Sequence, residues 1–337
     1  MSLIIVDNTI NQFFSVVMTT NQEMTLHSNN SVIHPFITIL TPAYNRASLL
    51  PRLFDSLLRQ TNKDFEWIVV DDGSTDNTHE VLASIKERCG DAFPMTCLYK
   101  ENGGKHMAIN MGVTRAQGEL FFIVDSDDML PPNALAIVAG EWRPISGDSN
   151  FGGVAGLDIA MDTREVIGSG LPQEHIDCNA IDIRYRHHVT GDMKEVFRTE
   201  VLREFPFPEF AGERFCPEQL VWFRMARRYR LRYINKPIYI ADYQPDGITA
   251  GITRARMRSP SASMLTYAEL AECPVPFMAR VKAAINFWRF WDCRTATSVV
   301  PRIAPWWHCL RPLGWVMHQR DVAGAGLVPA HKKCLNR

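Results

Sequence analysis

The chain has no Lys or Arg before Arg46, so its first residues lack the basic segment with which a secretory signal opens. No apolar run reaches the roughly 18 residues that cross a bilayer. Among the eight cysteines and ten histidines there is no Cys-x-x-Cys pair and no His-Glu-x-x-His. That excludes the common zinc signatures and leaves the cysteines as reduced, mostly buried thiols. No Gly-x-Gly-x-x-Gly follows the first apolar strand and no Gly-x-x-x-x-Gly-Lys-Ser/Thr occurs, which argues against a dinucleotide dehydrogenase and a phosphate-loop NTPase. Charge of one sign is lacking too. Lys and Arg number 36 against 37 Asp and Glu, so the molecule as a whole offers no field for a nucleic acid or other polyanion. The expectation is a cytoplasmic protein with no nucleic-acid partner.

What is present is an ordinary core. With 337 residues, 46% hydrophobic and 22% charged, the chain suits one large α/β domain with an appendage, or two small domains. Phe36 to Thr41 reads as a buried strand closed by Pro42, and a helix from about Ser48 to Gln60 follows. Glu66 to Val70 is a second strand, ending on Asp71-Asp72-Gly73-Ser74 ahead of a helix capped by Thr75 or Asp76. Met95 to Tyr99 is a third, and Gly103-Gly104 opens a helix to about Ala116. Leu120 to Val124 is the fourth. Strands alternating with helices through short connections make βαβ units and a mostly parallel sheet. Right-handed crossovers bring the strand C-terminal ends to one edge, where such sheets bind ligands.

The polar signals gather on that edge. After the fourth strand come Asp125-Ser126-Asp127-Asp128, three carboxylates that repel one another unless a cation joins them. A hard divalent ion with oxygen ligands, carrying a diphosphate on its far side, answers that need. An Asp-Ser-Asp turn or helix cap is the alternative use of the same residues. Lys105, at a helix start behind two glycines, either adds charge at the same place or is a solvated lysine on a first turn.

Ile39-Leu40-Thr41-Pro42-Ala43-Tyr44-Asn45-Arg46, Leu57 to Thr61 and Ile68 to Asp76 resemble the N-terminal half of family 2 glycosyltransferases with the GT-A fold. Asn102-Gly103-Gly104-Lys105, Asn110-Met111-Gly112, Ala116 to Glu119 and Asp125-Ser126-Asp127-Asp128 continue the pattern in order. The match is dense over residues 36 to 135 and thins to scattered motifs by about Thr249. The resemblance implies a Rossmann-like nucleotide-binding sheet flanked by helices, a nucleotide-diphosphate sugar donor, UDP most often, and transfer with inversion. It implies that Thr41, Pro42, Tyr44 and Asp72 hold the base and ribose. Asp125 and Asp127 fall on the DxD motif for ribose and metal-bound diphosphate, with Mg²⁺ or Mn²⁺ as the ion. Asp128 is near enough to share it.

The second half must supply the acceptor site and the base. Pro217 suits the first turn of a helix, and Glu218 then stands near its N-terminus, four residues before Trp222. The resemblance gives that position to the catalytic base. The adjacent acidic pair usual in the family is absent, since Gln219 follows, which leaves Glu213 as a second candidate. A carboxylate merely favouring a helix N-terminus is the plain alternative. Arg224, Arg227, Arg228, Arg230 and Arg232 read as a mostly solvated basic run, with one or two free to meet a diphosphate or anionic acceptor. Leu231 to Tyr243 reads as a strand pair around Pro237, and Asp246-Gly247-Ile248-Thr249 as a loop over the site. From Val275 onward ten Lys and Arg face two Asp and Glu. Phe277, Val281, Ala284, Trp288 and Trp291 share one helical face opposite Lys282, Asn286 and Arg289. Such a helix suits an anionic membrane surface, or else packs on the catalytic domain.

The chain thus divides into a loosely ordered extension (1–35), a catalytic domain (36–250, donor half 36–135 and acceptor half 136–250) and a basic, Trp-rich, mainly helical region (251–337). The expected activity is sugar transfer from a nucleotide sugar to a saccharide or lipid-linked saccharide in surface polysaccharide synthesis. Peripheral membrane contact is expected through 277–320. A nucleotidyltransferase, and a non-catalytic member that binds membrane or partners, are the competing readings.

Overall fold

The computed structural model describes residues 34–244 and 251–324. The extension up to residue 33, the 246–249 loop and residues 325–337 lie outside the described residues. In chain order the elements are β1 (Ile37–Ala43), α1 (Leu50–Leu58), β2 (Phe65–Asp71), α2 (Thr78–Cys89), β3 (Met95–Tyr99), α3 (Lys105–Arg115), β4 (Leu120–Ile123) and α4 (Ala134–Trp142). Then follow β5 (Phe151–Ala160), β6 (His175–Cys178), α5 (Asp182–Tyr185), β7 (Met193–Arg198), α6 (Thr199–Glu204), α7 (Glu218–Ala226) and β8 (Arg230–Ala241). Four helices close the described chain: α8 (Ile252–Arg258), α9 (Pro260–Glu272), α10 (Phe277–Trp291) and α11 (Arg311–Gly324).

One eight-stranded sheet runs β3-β2-β1-β4-β7-β5-β8-β6. β1 pairs in parallel with β2 and β4, and β2 with β3. Every residue of β1 and β2 is buried, as their predominance of Ile, Val, Leu and aromatic residues requires of strands covered on both faces. The order reverses between β1 and β4, and there the carboxyl ends of neighbouring strands part to leave a crevice. Beyond β4 the sheet is mixed. β7 runs antiparallel to both β4 and β5, while β5 and β8 run parallel. The β4–β7 ladder ends at Phe122↔Val196, just short of Asp125 on one side and Lys194 on the other.

Two readings of the sequence are corrected. Arg230–Ala241 is one strand, not a pair; the register with β5 jumps from Tyr233 to Pro237 across Ala155 and Leu157, because a proline cannot donate to the ladder. The basic run is largely solvated, with Arg227, Arg228 and Arg230 50%, 63% and 44% exposed, but its arginines are engaged by carboxylates of this chain and not open to an outside anion. Arg224 grips Glu269 through paired bonds of 2.6 and 3.1 Å, Arg228 meets Glu204, Arg230 meets Asp148 at 2.7 Å and Arg232 meets Asp177 at 2.8 Å.

Two apolar layers sandwich the sheet, and a third cluster lies beneath the C-terminal helices. α10 forms as expected, but Ala284 and Trp288 are buried in that third cluster with Phe287 and Trp307. Trp288 Nε1 donates to Trp307 O at 2.9 Å. The face marked by the tryptophan spacing is therefore largely internal. Among the described residues no helix is long and apolar enough to cross a membrane.

Candidate active site at the carboxyl edge of the sheet

Thr41, Pro42, Tyr44, Asp72, Asp125 and Asp127 lie at or just past the carboxyl ends of β1, β2 and β4, though several are already occupied. Thr41 is fully buried, its Oγ1 accepts from Trp67 Nε1 at 3.0 Å and it pairs with Val69 across the sheet, so it shapes the end of β1 from within. Pro42 follows it in β1, and Tyr44 stands exposed at the rim. Asp72 spends both oxygens on one turn. Oδ1 accepts from Gly103 N (2.9 Å) and Lys100 Nζ (2.7 Å), and Oδ2 from Gly104 N (2.7 Å). It is a brace for the start of α3. Gly104 has φ +100°, and a Cβ there would lie 2.0 Å from Arg214 O. Only glycine permits the 214–218 segment to approach so closely.

That approach assembles the centre of the site. Lys105, the first residue of α3, places its ammonium 2.6 Å from Asp125 Oδ1 and 2.8 Å from Glu218 Oε1. Glu218 begins α7, with Pro217 at its N-cap. Lys194 of β7 approaches Asp125 Oδ2 at 3.3 Å and lies 4.1 Å above the Tyr239 ring. Burial works against the charge on Asp125, but Lys105 and Lys194 outweigh it and hold the carboxyl far below the usual range. Burial likewise opposes the charge on Lys105, and Asp125 and Glu218 more than restore it.

The remaining carboxylates behave differently. Asp128 accepts from Tyr239 Oη at 2.6 Å and from Asp242 N at 2.7 Å. Burial, then the charge of Asp125, pushes it up to about 7. Asp127 is half-buried and raised by burial and then by Asp125, with no hydrogen bond to its carboxylate from another residue among those described. Arg52 anchors the turn through the Asp127 carbonyl and through Asp242 Oδ2 at 2.6 Å.

Among the described residues no three His, Cys, Asp or Glu converge to hold a metal by themselves. The donor set still suits a hard dication. Asp125 and Asp127 offer only oxygen, and an ion bound by one or two carboxylates completes its shell from phosphate and water.

The two candidates for base separate clearly. Glu213 is 7% exposed and its two oxygens accept from Ser261 N (2.7 Å) and Ala262 N (3.0 Å), the free amides at the start of α9. Glu218 is partly open and faces the crevice through Lys105.

Three acidic or basic groups near the site escaped sequence reading. Lys194 is one. Asp158 of β5 is 5% exposed, with Oδ1 unpartnered, and burial pushes it up to about 7. Glu195 of β7, opposite Ala155, is pushed up to about 8 by burial, with Arg184 opposing and Asp158 and Glu218 adding to the rise. α7 crosses this strand with Trp222 against Phe197, ring centroids 4.5 Å apart. Glu218 lies one helical turn from Trp222 and Glu195 two strand residues from Phe197, which places the two carboxylates on the same side of that contact and near enough for Glu218 to raise Glu195.

Comparison with known proteins fits this geometry. Residues 38–155, about a third of the chain, match the sequence model of Glycosyl transferase family 2. Chondroitin synthase of Pasteurella multocida is 40% identical over 115 residues, 34% of this chain and 12% of that protein. Other curated relatives, described as uncharacterized glycosyltransferases, are matched over 30 to 31% of their length, so the match spans about a third of those proteins. The crystal structure of S. aureus TarS 1-349 in complex with UDP-GlcNAc superposes with a TM-score of 0.59 at 19% identity, covering 87% of this chain and 92% of that one. Mannosyltransferase PcManGT from Pyrobaculum calidifontis, in complex with GDP-Man and Mn2+, gives 0.51 at 21% identity over 89% and 79%. The fold is shared with these GT-A glycosyltransferases.

Proposed function

Because residues 38–155 are a family 2 glycosyltransferase domain, we propose that this chain transfers a sugar, with inversion, from a nucleoside diphosphate sugar to a hydroxyl of a growing polysaccharide. The observation that carries the reading is the single ammonium of Lys105 between Asp125 and Glu218. It joins the donor edge of the sheet to the carboxylate best situated to act as base. UDP is the proposed nucleotide, as in the TarS complex, and a saccharide acceptor accords with the chondroitin synthase relative.

The diphosphate end of the donor lies at the N-terminus of α3, where the helix dipole and Lys105 favour an anion. Tyr44 offers an exposed ring to base and ribose, and the buried Thr41 and Pro42 hold the end of β1 that carries it. Asp72 acts through the Gly103-Gly104 turn that it holds. Asp125 and Asp127 would hold Mg²⁺ or Mn²⁺. When bound, that ion neutralises charge developing on the leaving diphosphate. Glu218 takes the proton of the acceptor hydroxyl as it attacks the anomeric carbon from the side opposite the diphosphate. The acceptor sugar lies on the Glu195 side of Glu218, where a carboxyl raised by burial suits a hydroxyl group.

In this reading 36–250 is the catalytic domain, and the helical region from 251 on buttresses it. That region also touches the inner face of a membrane. Phe277, Met278, Trp306, Leu313 and Trp315 are exposed beside Arg280, Lys282, Arg302 and Arg311. A cavity of about 510 Å³ opens among Phe277, Arg280, Trp306 and Leu310.

Incubation with radiolabelled nucleotide sugars and Mn²⁺ tests the activity. Release of nucleoside diphosphate together with a glycosylated product is expected. Release of pyrophosphate would instead identify a nucleotidyltransferase, and no turnover with any donor would leave a binding protein.

A further inference from the structure

The contacts of Lys105 have a consequence for the order of events. An ammonium offers three N–H donors, and two of them are spent on Asp125 and Glu218, which the proposed function assigns to the donor and the acceptor sides. The two carboxylates are not equally dependent on it. Asp125 keeps a second cation, Lys194, whose side chain is 14% exposed and fixed above Tyr239. Glu218 has no ion-pair partner other than Lys105 among the described residues. Lys105 is itself about a quarter exposed (27%) and stands at the first position of α3, within reach of any anion at that helix end.

We propose that Lys105 couples the two half-sites: it holds the Glu218 carboxylate while the donor site is empty and gives it up to the diphosphate, so the base is freed only once a donor is bound. The proposal rests on the donor reading of the preceding subsection. A diphosphate brings more negative charge than one carboxylate, and at the N-terminus of α3 the helix dipole favours it as well. Lys105 turns to it. Glu218 then loses its ion pair and becomes available to the acceptor hydroxyl. Water has less chance to be activated before the donor arrives, and the acceptor side is assembled by the donor itself.

Thermodynamic reciprocity makes the idea measurable. If diphosphate and Glu218 compete for one ammonium, removing the charge of Glu218 must tighten diphosphate binding. Isothermal calorimetry of UDP with Mg²⁺ on wild type, Glu218→Gln, Lys105→Met and the double variant forms a closed cycle. Glu218→Gln alone should bind UDP about 5-fold more tightly, a coupling at the low end of the usual range. Lys105→Met should weaken binding, and in that background Glu218→Gln should change affinity less than about 2-fold. A purely structural role for Lys105 would not yield a gain on the Glu218 side. Unchanged or weaker UDP binding by Glu218→Gln overturns the coupling, and this comparison needs no Lys105 variant to fold. Failure of wild type to bind any nucleoside diphosphate is a different result, which overturns the donor reading and the coupling with it.

Discussion

At the scale of single residues, the same side-chain type has three different jobs within one edge of the sheet, and surroundings decide which. Glu213 is enclosed and caps α9 through two backbone amides; Glu218 faces the crevice on a lysine. Glu218→Gln should therefore lower turnover by roughly 10²- to 10⁴-fold, the usual contribution of a positioned base, without loss of UDP binding or melting temperature. Glu213→Ala should cost about 1–2 kcal/mol of stability, as for a lost cap, and leave kcat per folded molecule near wild type. Steady-state rates beside thermal melts separate the two, and the opposite pattern would make Glu213 the base. Asp158 illustrates the third job. Burial pushes its carboxyl up to about 7, above the value near 4 of an unfolded chain. A carboxyl shifted in that direction stabilises the fold fully only below its unfolded pKa, and the contribution is lost as pH rises through the folded value. Asp158→Asn should thus raise the melting temperature by a few degrees at pH 8, on the order of 2–4 °C per kcal/mol, and by much less near pH 4.5. Equal gains at both pH values would mean that the carboxyl ionises freely in the folded protein.

At the scale of elements, what the sequence reveals depends on whether neighbours in space are neighbours in the chain. The β1–β4 half was legible. β1 to β4 alternate with helices, each strand ends in its own polar loop, and the crossover rule alone brings those loops to one edge. Asp125, Asp127 and Lys105 accordingly lie where the pattern put them. Lys194, Glu195 and Asp158 could not be found that way. They belong to β7 and β5, long after the motif-rich segment, and they reach the site only through antiparallel pairing whose register no local pattern encodes. A lone Lys-Glu pair in a strand reads as surface. The Tyr233–Pro237 jump in β8 was equally hidden, since a proline inside an apolar run normally argues against a continuous strand. The joint between the halves was partly legible as Gly103-Gly104, although its reason lies in the contact of Gly104 with Arg214. Gly104→Ala puts a Cβ 2.0 Å from Arg214 O in a backbone with φ +100°. Strain of that kind costs on the order of 1–3 kcal/mol, and relief requires the 214–218 segment to draw back. The expected result is a lower melting temperature together with loss of the Glu218–Lys105 coupling in UDP titrations. Retention of the coupling in a folded Gly104→Ala protein would show that the close approach is dispensable.

At the scale of the whole molecule, near-neutral overall charge conceals an uneven distribution. From 275 to 324 the described chain carries seven Lys and Arg against Asp292 and Asp321, and Asp321 is already paired with Arg289 at 2.5 Å. Helical periodicity identified residues sharing a face of α10 but could not tell whether another element covers it. α11 does, with Gly314 lying directly against Trp288. The aromatic surface left outside is a different one, made of Phe277 (66% exposed), Trp306 (63%) and Trp315 (53%). Apolar rings that project among unpaired cations suit the boundary of an anionic bilayer, where the rings enter the interface and the cations meet lipid phosphate. Sedimentation with vesicles of phosphatidylglycerol and phosphatidylethanolamine, compared with phosphatidylcholine, examines this directly. Wild type should favour the anionic vesicles and lose part of that preference in high salt, since only the charge contribution is screened. Trp306→Ala with Trp315→Ala should weaken partitioning by about 10-fold or more, given roughly 1.5–3 kcal/mol for each large apolar side chain withdrawn from water. Trp288→Ala is the informative contrast. It opens a cavity beneath α11 and should cost about 3–5 kcal/mol of stability, yet the protein that remains folded should still bind vesicles. Equal binding to neutral vesicles, or none to anionic ones, would mean that the exposed tryptophans serve another purpose.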